Sequence, residues 1–285
     1  SFEPVVDFIR SEAQDPDVVA VKQTVYRTGV DSVLMEALLD AARRGKEVTV
    51  VVELFARFDE EANMDWAEQL ESAGAQVVYG VFGFKAHAKL ALLTRRETDA
   101  QGRFKLVQYA HLGTGNYHLR TTRQYTDFGL LTADTAICAD VNEVFLHITS
   151  LAKAGRLSRL LLAPFTMHRR ILALIQRETR NAKRGKPARI IAKMNGLLEE
   201  RVIGALSAAS QAGVEIDLIV RGACALRPGV PGITQNIRVR SILGRFLEHH
   251  RIWYFENEGK PQVWLSSADW MGRNLFRRIE VAFPI

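Results

Sequence analysis

Hydrophobic residues near the start of the chain follow two alternating spacings. Short runs rich in valine predict buried strands over Val18–Val25, Glu47–Leu54 and Gln76–Tyr79. Between these runs, apolar residues recur at helical spacing and predict helices over Val33–Arg44 and Asp59–Ala73, each followed by a glycine. The alternation of strands and helices predicts an α/β fold with a mixed, mostly parallel sheet flanked by helices.

The same order of elements returns later in the chain. The stretch Val202–Arg221 aligns without a gap with Leu34–Glu53, and the two share alanine, leucine, glycine and glutamate positions. At nearly equal distances further on, the first copy reaches His87-Ala88-Lys89 and the second reaches His249-His250-Arg251. The sequence therefore predicts two tandem copies of one α/β domain.

We expect the two copies to divide near residue 158, giving a first domain over residues 1–158 and a second over residues 159–285. An amphipathic helix is predicted over Thr166–Arg184, capped by Thr166 and closed by Gly185. This helix leads into the second copy.

Composition narrows the class of protein. Of the 285 residues, 47% are hydrophobic and 25% charged, which is typical of a globular protein that can form two domains. Lys and Arg outnumber Asp and Glu by 38 to 32, and this net charge of +6 suits a phosphate-bearing ligand without identifying one. With only two cysteines, Cys138 and Cys224, a disulfide framework is excluded and a reducing compartment is favoured.

Two features concern the ends of the chain and membranes. No apolar run reaches the roughly 20 residues that a membrane span needs. The first ten residues have neither an initiator methionine nor the pattern of a signal peptide. We therefore expect the chain to be part of a longer protein.

The paired histidines suggest phosphate chemistry. If His87 and Lys89 lie on one strand, they project from the same face, and His249 and Arg251 do the same in the second copy. One imidazole can attack a phosphate while the other donates a proton, and the two cations can neutralise phosphate oxygens. A single His-x-Lys can also be a solvated strand edge, but two equivalent copies favour the catalytic interpretation.

A polar loop follows each histidine strand. The sequence HLGTGNY, which contains His111 and Asn116, has small residues that leave backbone N–H groups free to approach an anion. SSADWMGRN, over Ser266–Asn274, takes the matching place in the second copy. Such loops are ordinary turns when they occur alone, and their position after each histidine makes them candidate phosphate contacts.

The paired motifs resemble those of the phospholipase D superfamily, in which two repeats form one site between them. The superfamily motif has an aspartate five residues beyond the lysine, whereas this chain has Thr94 and, in the second copy, Glu256. That departure argues against ordinary phosphodiesterase chemistry. The resemblance implies two tandem phospholipase-D-like domains with the active site between them.

A closer resemblance covers the whole chain. Long segments are similar, in order, to the carboxy-terminal half of the polyphosphate kinases that are phosphorylated on histidine. They are VKQTVYRTG, VVELFARFDEEAN, YAHLGTGNYH, RQYTDFGLLT, LLLAPFTM, PARIIAKMN, GVEIDLIVRGACALRPGVPG, NIRVRSILGRFLEHHRIWYFEN and SSADWMGRNLFRRIEV. The chain departs from the family pattern at four positions, Ala86, His118, Ala223 and Ala225. None of these departures removes an ionisable residue of the expected site.

The resemblance implies roles for individual residues. His87 matches the histidine that takes the γ-phosphoryl group of ATP, and His249 matches the second active histidine, which suits an acid for the leaving oxygen and a contact to ATP. Tyr125 and Arg221 fall on positions linked to the nucleotide. His111 matches a family histidine once associated with phosphorylation, and we expect a local structural role for it.

Arg27 and Arg57 match positions that the family associates with Mg²⁺. A guanidinium has no acceptor atom and cannot bind a cation directly. We therefore expect both side chains to hold phosphate oxygens that Mg²⁺ bridges. The alternative for Arg57 is a surface ion pair with the acidic residues that follow it.

Together these features predict reversible transfer of the ATP γ-phosphate to inorganic polyphosphate through a phosphohistidine, with ATP or ADP as the nucleotide and Mg²⁺ required. Two alternatives remain, a phospholipase-D-type phosphodiesterase and a non-catalytic polyanion-binding module. We expect a cytoplasmic protein, with peripheral membrane attachment left open, that forms a homo-oligomer at full length and does not bind nucleic acid. Whether this chain is active without upstream domains also stays open.

Overall fold

The computed structural model describes residues 2–26, 32–53, 60–80, 83–150 and 155–285. The chain forms two compact units. Unit 1 comprises Ser1–Gln124 and Gly129–Leu160, and unit 2 comprises Tyr125–Phe128 and Leu161–Ile285. The short segment Tyr125–Phe128 therefore belongs to unit 2 although its sequence neighbours on both sides belong to unit 1.

Unit 1 contains strands and helices in alternation, followed by a long hairpin and a final helix. In chain order its elements are α1 Glu3–Gln14, β1 Val18–Val25, α2 Val33–Arg43, β2 Glu47–Val52, α3 Glu60–Ser72, β3 Gln76–Tyr79, β4 Lys85–Ala86, β5 Lys89–Thr98, β6 Phe104–Gly113, α4 Leu119–Thr122, β8 Gly129–Thr132 and α5 Thr135–Ser150, with β7 Tyr125–Thr126 crossing to unit 2. Six of these strands form one sheet in the order β3-β2-β1-β5-β6-β8.

Helices cover the sheet of unit 1. Apolar residues of α1, α2 and α3 form one core with β1 and β2, in which Leu38, Val50 and Leu70 are fully buried. The helix α5 packs against β5 and β6. Ser32 caps α2, because its side chain accepts a hydrogen bond from the Met35 N–H at 3.4 Å.

Unit 2 repeats this plan. Its further elements are β9 Leu161–Ala163, α6 Met167–Lys183, β10 Arg189–Met194, α7 Glu200–Gln211, β11 Glu215–Val220, β12 Ile237–Arg240, β13 Leu247–Glu248, β14 Arg251–Phe255, a 3₁₀ turn over Asn257–Gly259, β15 Gln262–Ser266, α8 Gly272–Arg277 and β16 Arg278–Pro284. Its main sheet has the order β12-β11-β10-β14-β15-β16, with β9 also paired to β16. Trp253, Phe255 and Trp270 lie in its core, fully buried.

Both sheets are mixed, as predicted, but parallel pairing is confined to one part of each. In unit 1 the β1–β2 and β2–β3 pairs are parallel, whereas β1–β5, β5–β6 and β6–β8 are antiparallel. In unit 2 the β10–β11 and β11–β12 pairs are parallel and the other pairs of the main sheet are antiparallel. The expected parallel majority was therefore wrong, because only β1, β2 and β3 in unit 1 and β10, β11 and β12 in unit 2 run parallel to one another.

The internal repeat is confirmed in the elements themselves. The helix, glycine and strand of α2, Gly45 and β2 correspond to α7, Gly213 and β11, and both strands begin at the aligned glutamate. Gly45 and Gly213 both have positive φ, at 80° and 95°, a conformation that glycine adopts without strain. The two copies thus end the equivalent helix in the same way.

Several predicted boundaries agree with the structure and a few differ. The strands β1 and β3 have the predicted limits, while the predicted ends Leu54 and Asp59 lie outside the described residues. The helix α6 begins one residue after Thr166, but the Thr166 side chain does not cap it. Instead its hydroxyl accepts a hydrogen bond from the Leu162 N–H at 3.0 Å, so the predicted cap was wrong.

Candidate functional site

His87 lies in the two-residue gap between β4 and β5 and is 7% exposed. It is not part of a strand, so the predicted common strand face of His87 and Lys89 was wrong. Lys89 instead donates a hydrogen bond from Nζ to the backbone carbonyl of His87. The ring of Tyr26 meets the imidazole edge-on, with centroids 4.8 Å apart, and Nζ of Lys89 lies 5.2 Å from the centroid of the same ring.

Side chains from neighbouring strands fix the backbone around His87. The Thr24 hydroxyl donates to the Ala88 carbonyl at 2.8 Å and accepts from the Leu90 N–H at 2.9 Å. The buried carboxylate of Glu53, at the end of β2, accepts from the Ala86 N–H at 2.8 Å. Side chains therefore hold the backbone on both sides of the histidine, and this fixes the position of the His87 Cα from which the imidazole extends.

His249 occupies the equivalent gap in unit 2, between β13 and β14. Arg251, two residues later, donates from Nη1 to the His249 carbonyl at 2.8 Å, as Lys89 does to His87. Its other nitrogens form a two-point ion pair with Asp269, each at 3.1 Å. Burial opposes the charge of Arg251, but Asp269 outweighs that effect and raises the pKa of the guanidinium.

Asp127 contacts the imidazole of His249. Both carboxylate oxygens lie 2.9 Å from Nδ1, and the Tyr125 ring lies 5.0 Å from the imidazole centroid. A carboxylate at Nδ1 favours the tautomer with hydrogen on that atom and leaves Nε2 as the nitrogen for proton transfer. Arg251 Nη1 lies 3.2 Å from Nε2 and 3.5 Å from Nδ1, so the guanidinium lies beside both ring nitrogens.

The segment Tyr125–Phe128 is held on the strand that leads to His249. The strands β7 and β13 pair in parallel, and the backbone N–H of His250 donates to the Thr126 carbonyl at 3.0 Å. Nδ1 of His250 lies 2.9 Å from the Thr126 hydroxyl, and its ring meets Phe128 edge-on at 4.9 Å. Burial, helped by the charge of Lys193, lowers the pKa of His250.

Arg221 joins this cluster through Asn195. Its Nε donates to Oδ1 of Asn195 at 3.0 Å, and Nδ2 of Asn195 donates to the His249 carbonyl at 3.1 Å. The next residue, Gly222, approaches the Asn195 carbonyl so closely that a Cβ would lie 2.8 Å from its oxygen. Within unit 2 the structure thus brings together the predicted residues Tyr125, Arg221, His249 and Arg251.

His111 lies on β6 and is buried. Nδ1 is 2.8 Å from the Tyr117 hydroxyl, and burial lowers the pKa of His111 to about 4. Nε2 has no hydrogen-bond partner among the described residues, and a Cβ at Gly129 would lie only 2.4 Å from it. The imidazole is therefore enclosed against backbone, which suits the structural role expected for it.

Asn116 and Asp269 are equivalent in the two copies. Gly113 pairs with Lys89, and Ser266 pairs with Arg251, so each residue stands three positions after that pairing. Asp269 forms the ion pair described above, whereas Oδ1 of Asn116 is buried without a hydrogen-bond partner in the described part of the chain. Asn116 therefore has an acceptor atom not used by these residues.

Arg27 and Arg57 lie outside the described residues. In the ranges that the structure does describe, no group of three or more His, Cys, Asp or Glu side chains could hold a metal ion. This part of the chain therefore does not fit a Mg²⁺ ion bound by protein ligands alone. Among the described helices, none has the length and apolar character needed to cross a membrane.

Sequence reasoning missed Asp127 and Asn195. Each contacts His249 although they precede it by 122 and 54 residues. The local signal was weak, because Asp127 stands in a short polar stretch and Asn195 follows a buried strand, as many capping residues do.

The fold of the chain is phospholipase-D-like. Phosphatidylserine synthase from Haemophilus influenzae Rd KW20 shares the fold with a TM-score of 0.64 and 12% identity, over 99% of this chain and 79% of that one. Yeast tyrosyl-DNA phosphodiesterase has a TM-score of 0.53 at 8% identity, over 96% and 83% of the two chains. At these identities the likeness concerns the fold alone.

Comparison with family models identifies the chain more specifically than the fold does. Two family models match in tandem, polyphosphate kinase C-terminal domain 1 over residues 1–154 and C-terminal domain 2 over residues 160–285. The chain belongs to the polyphosphate kinase family. This confirms the family resemblance predicted from the sequence.

Individual relatives agree with this family. Polyphosphate kinase from Burkholderia cenocepacia (strain HI2424) is 63% identical over all 285 residues, and the enzyme from Paraburkholderia phytofirmans (strain DSM 17436 / LMG 22146 / PsJN) is 61% identical. The crystal structure of polyphosphate kinase from Porphyromonas gingivalis matches 100% of this chain and 43% of that one, with 44% identity and a TM-score of 0.90. The chain spans 41% of the length of these curated relatives.

Proposed function

We propose that the protein carrying this chain is a polyphosphate kinase, which transfers the γ-phosphoryl group of ATP reversibly to inorganic polyphosphate through a phosphohistidine at His87. The support is the identity of 63% with a curated polyphosphate kinase across the entire chain. The observation that carries the mechanism is the duplicated histidine, each with its carbonyl held by the cation two residues later.

In the first step, an imidazole nitrogen of His87 attacks the γ-phosphorus of ATP. A P–N bond forms as the bond from this phosphorus to the bridging oxygen breaks, and ADP leaves with the electron pair. A terminal oxygen of polyphosphate then attacks the phosphohistidine, which restores the imidazole and lengthens the polymer by one unit. Each step exchanges one high-energy phosphate bond for another, so the reaction runs in both directions.

His249 serves as the acid toward the leaving oxygen, with Asp127 holding its Nδ1–H so that Nε2 carries the transferred proton. Lys89 and Arg251 orient the two histidines through their backbone carbonyls. Tyr125 and Arg221 contact the nucleotide, while Arg27 and Arg57 hold phosphate oxygens. A Mg²⁺ ion bound to the phosphates of ATP would supply neutralisation of their charge, beside the phosphate oxygens that Arg27 and Arg57 would hold.

The remaining parts of the proposal concern the intact protein. We place the domain boundary between residues 158 and 159, with the segment Tyr125–Phe128 as an exception, because that segment is part of unit 2. We further infer a cytoplasmic homo-oligomer that does not bind nucleic acid. These inferences rest on the family resemblance.

The phosphohistidine is tested by intact-mass spectrometry of the intact protein after incubation with Mg-ATP. We expect one phosphoryl adduct that is labile to acid and stable to alkali, because a P–N bond has that chemistry. The variant His87→Gln should lack the adduct, and the matched control His147→Gln should keep it. An adduct that survives in His87→Gln, or none in the unmodified intact protein, would refute the mechanism.

The role of His249 is tested through Asp127→Asn. An amide no longer favours hydrogen on Nδ1 electrostatically, so we expect formation of the phosphohistidine to slow by about 100-fold with the protein still folded. The exposed Asp65→Asn serves as the control and should react at the unmodified rate. Equal rates for Asp127→Asn and the control would remove Asp127 from the mechanism.

The two alternatives give different results in the same preparations. A phospholipase-D-type diesterase would cleave a phosphodiester without Mg²⁺ and without ATP. A non-catalytic polyanion-binding module would bind polyphosphate equally well before and after His87→Gln and would form no adduct. The kinase proposal requires the adduct and a net transfer to polyphosphate.

A further inference from the structure

The helix α6 turns a face with basic and no acidic side chains toward solvent. Six exposed cations lie along it or directly after it, and we call them the basic stripe. They are Arg169, Arg170, Arg180, Lys183, Arg184 and Lys186. The single acidic residue of α6, Glu178, is fully buried, so the exposed face carries one sign of charge only.

The opposite face of α6 is part of the core of unit 2. Met167, Ile171, Leu174 and Ile175 are at most 1% exposed and pack in one hydrophobic cluster. Helical geometry therefore fixes the direction of the basic stripe, because residues on the other side of the helix must face away from this core. These four apolar residues are already buried and are not available to enter a lipid bilayer.

The carboxylates that the structure describes do not neutralise the basic stripe. Within residues 155–285, no ion pair joins any of its six cations to a carboxylate. Arg177, on the same helix, shows the resulting repulsion. Burial lowers the pKa of this guanidinium, and the charges of Arg170 and Arg180 lower it further although Glu178 opposes them.

The stability of the helix explains only part of this arrangement. Cations near a helix C-terminus interact favourably with the helix dipole, which accounts for Lys183 and Arg184. Arg169 and Arg170 lie in the first turn of α6, where the same dipole disfavours positive charge, and Thr166 provides no side-chain cap to offset it. These two arginines therefore reduce helix stability, and a bound anion would reverse that effect.

We propose that the basic stripe binds inorganic polyphosphate outside the residues that carry the reaction. From Arg169 to Lys183 the helix rises by about 21 Å, at about 1.5 Å per residue, so its cations are spread along the helix, with a group at each end, rather than gathered in a compact pocket. A linear polymer with a charge on every unit matches such an arrangement, whereas a single phosphate or nucleotide would contact only one end. The inference rests on the proposed function, which supplies this polymer.

The test measures binding of long-chain polyphosphate and of triphosphate to the intact protein at several salt concentrations. The variant combines Arg169→Gln, Arg170→Gln, Arg180→Gln and Lys183→Gln. The control combines Arg10→Gln, Arg43→Gln, Lys105→Gln and Lys260→Gln, which removes the same charge from exposed positions elsewhere. Both proteins are also assayed for phosphohistidine formation with Mg-ATP.

We expect the stripe variant to bind long-chain polyphosphate roughly 10-fold to 100-fold more weakly, and the slope of log K against log salt to fall by about 2 to 3, because fewer counterions are released. Triphosphate binding and phosphohistidine formation should match those of the control. Equal losses of polyphosphate affinity in both variants would show that only the net charge of the protein matters, and would overturn the proposal.

Two further outcomes separate this proposal from others. Unchanged polyphosphate affinity together with lost binding to phosphatidylglycerol vesicles would assign the stripe to a membrane and overturn the proposal. If the unmodified intact protein formed no polyphosphate from ATP, the proposed function would fail. Binding of added polyphosphate would still decide the role of the stripe, because that measurement needs no turnover.

Discussion

The environment of His111 determines its charge. Its ring is fully enclosed, Nδ1 faces the Tyr117 hydroxyl, and burial lowers the pKa of the imidazole from 6.5 to about 4. The folded protein therefore keeps His111 neutral over a pH range in which the unfolded chain binds a proton. Burial also raises the pKa of Tyr117, so both the imidazole and the phenol stay uncharged around neutral pH.

This difference predicts a pH-dependent loss of stability. Since the folded pKa is depressed, the stability is fully present above pH 6.5 and is lost as the pH falls toward 4. Between pH 6.5 and pH 5, His111 should lower the free energy of unfolding by about 2 kcal/mol. Urea-induced unfolding of unit 1 at the two pH values measures this change.

The double variant His111→Phe with Tyr117→Phe is the control, because it removes both polar partners and keeps two rings of similar size. The free energy of unfolding of this double variant should still change between the two pH values, but by about 2 kcal/mol less than that of the unmodified protein. An equal change in both proteins would show that another group titrates.

Sequence found some residues of the site and not others for a physical reason. His87 and His249 repeat at equivalent places, so an alignment of the chain with itself detects them. Asp127 and Asn195 are distant from His249 in the sequence and contact it only once the chain has folded. A pattern along one chain contains no information about such contacts.

Among the elements, α5 and the segment that follows it depend on one carboxylate. Asp140 is 4% exposed, and its oxygens accept the backbone N–H groups of Ser158, Arg159 and Leu160 at 2.6 to 3.0 Å. Three consecutive donors therefore share one side chain. The segment at residues 158–160 is thereby fixed to a helix that ends at Ser150.

We predict that Asp140→Asn lowers the free energy of unfolding of unit 1 by about 2 to 3 kcal/mol, because an amide nitrogen would face N–H donors in a buried place. Thermal or urea unfolding measures the loss. The partly exposed Asp40→Asn, which breaks an ion pair with Arg44, should cost less than about 1 kcal/mol. A similar small cost for Asp140→Asn would show that water replaces these hydrogen bonds.

Long elements were predictable and short ones were not. Eight-residue β1 and the helix α2 carry enough apolar positions to show a period. The strands β4, β7 and β13 have only two residues each, which is too short for any period to be visible. Since β4 and β13 immediately precede the two histidines, the sequence missed the breaks that place them outside the strands.

At the scale of the whole molecule, the two copies share a plan but differ in how firmly they hold their histidine. Lys89 supports the His87 carbonyl with one compact cation. Arg251 supports the His249 carbonyl and also forms a buried two-point ion pair with Asp269, whose counterpart in the first copy is the uncharged Asn116. The equivalent lysine and arginine are therefore not interchangeable.

We predict that Arg251→Lys lowers the free energy of unfolding of unit 2 by about 2 to 4 kcal/mol, since lysine cannot make both contacts to the buried Asp269. The exposed Arg240→Lys, which alters a single 3.9 Å contact to Asp217, should cost less than about 1 kcal/mol. Urea unfolding compares the two variants, and comparable losses would mean that the two-point geometry of Arg251 is not needed.

The segment Tyr125–Phe128 limits how such a gene can recombine. A crossover near residue 158 would exchange the second half of the chain while leaving Asp127 behind in the first. The incoming His249 would then face a residue inherited from the other parent. Chimaeras between distant relatives should therefore work best when residues 125–128 come from the same parent as the second half, so that the two inherited parts remain matched.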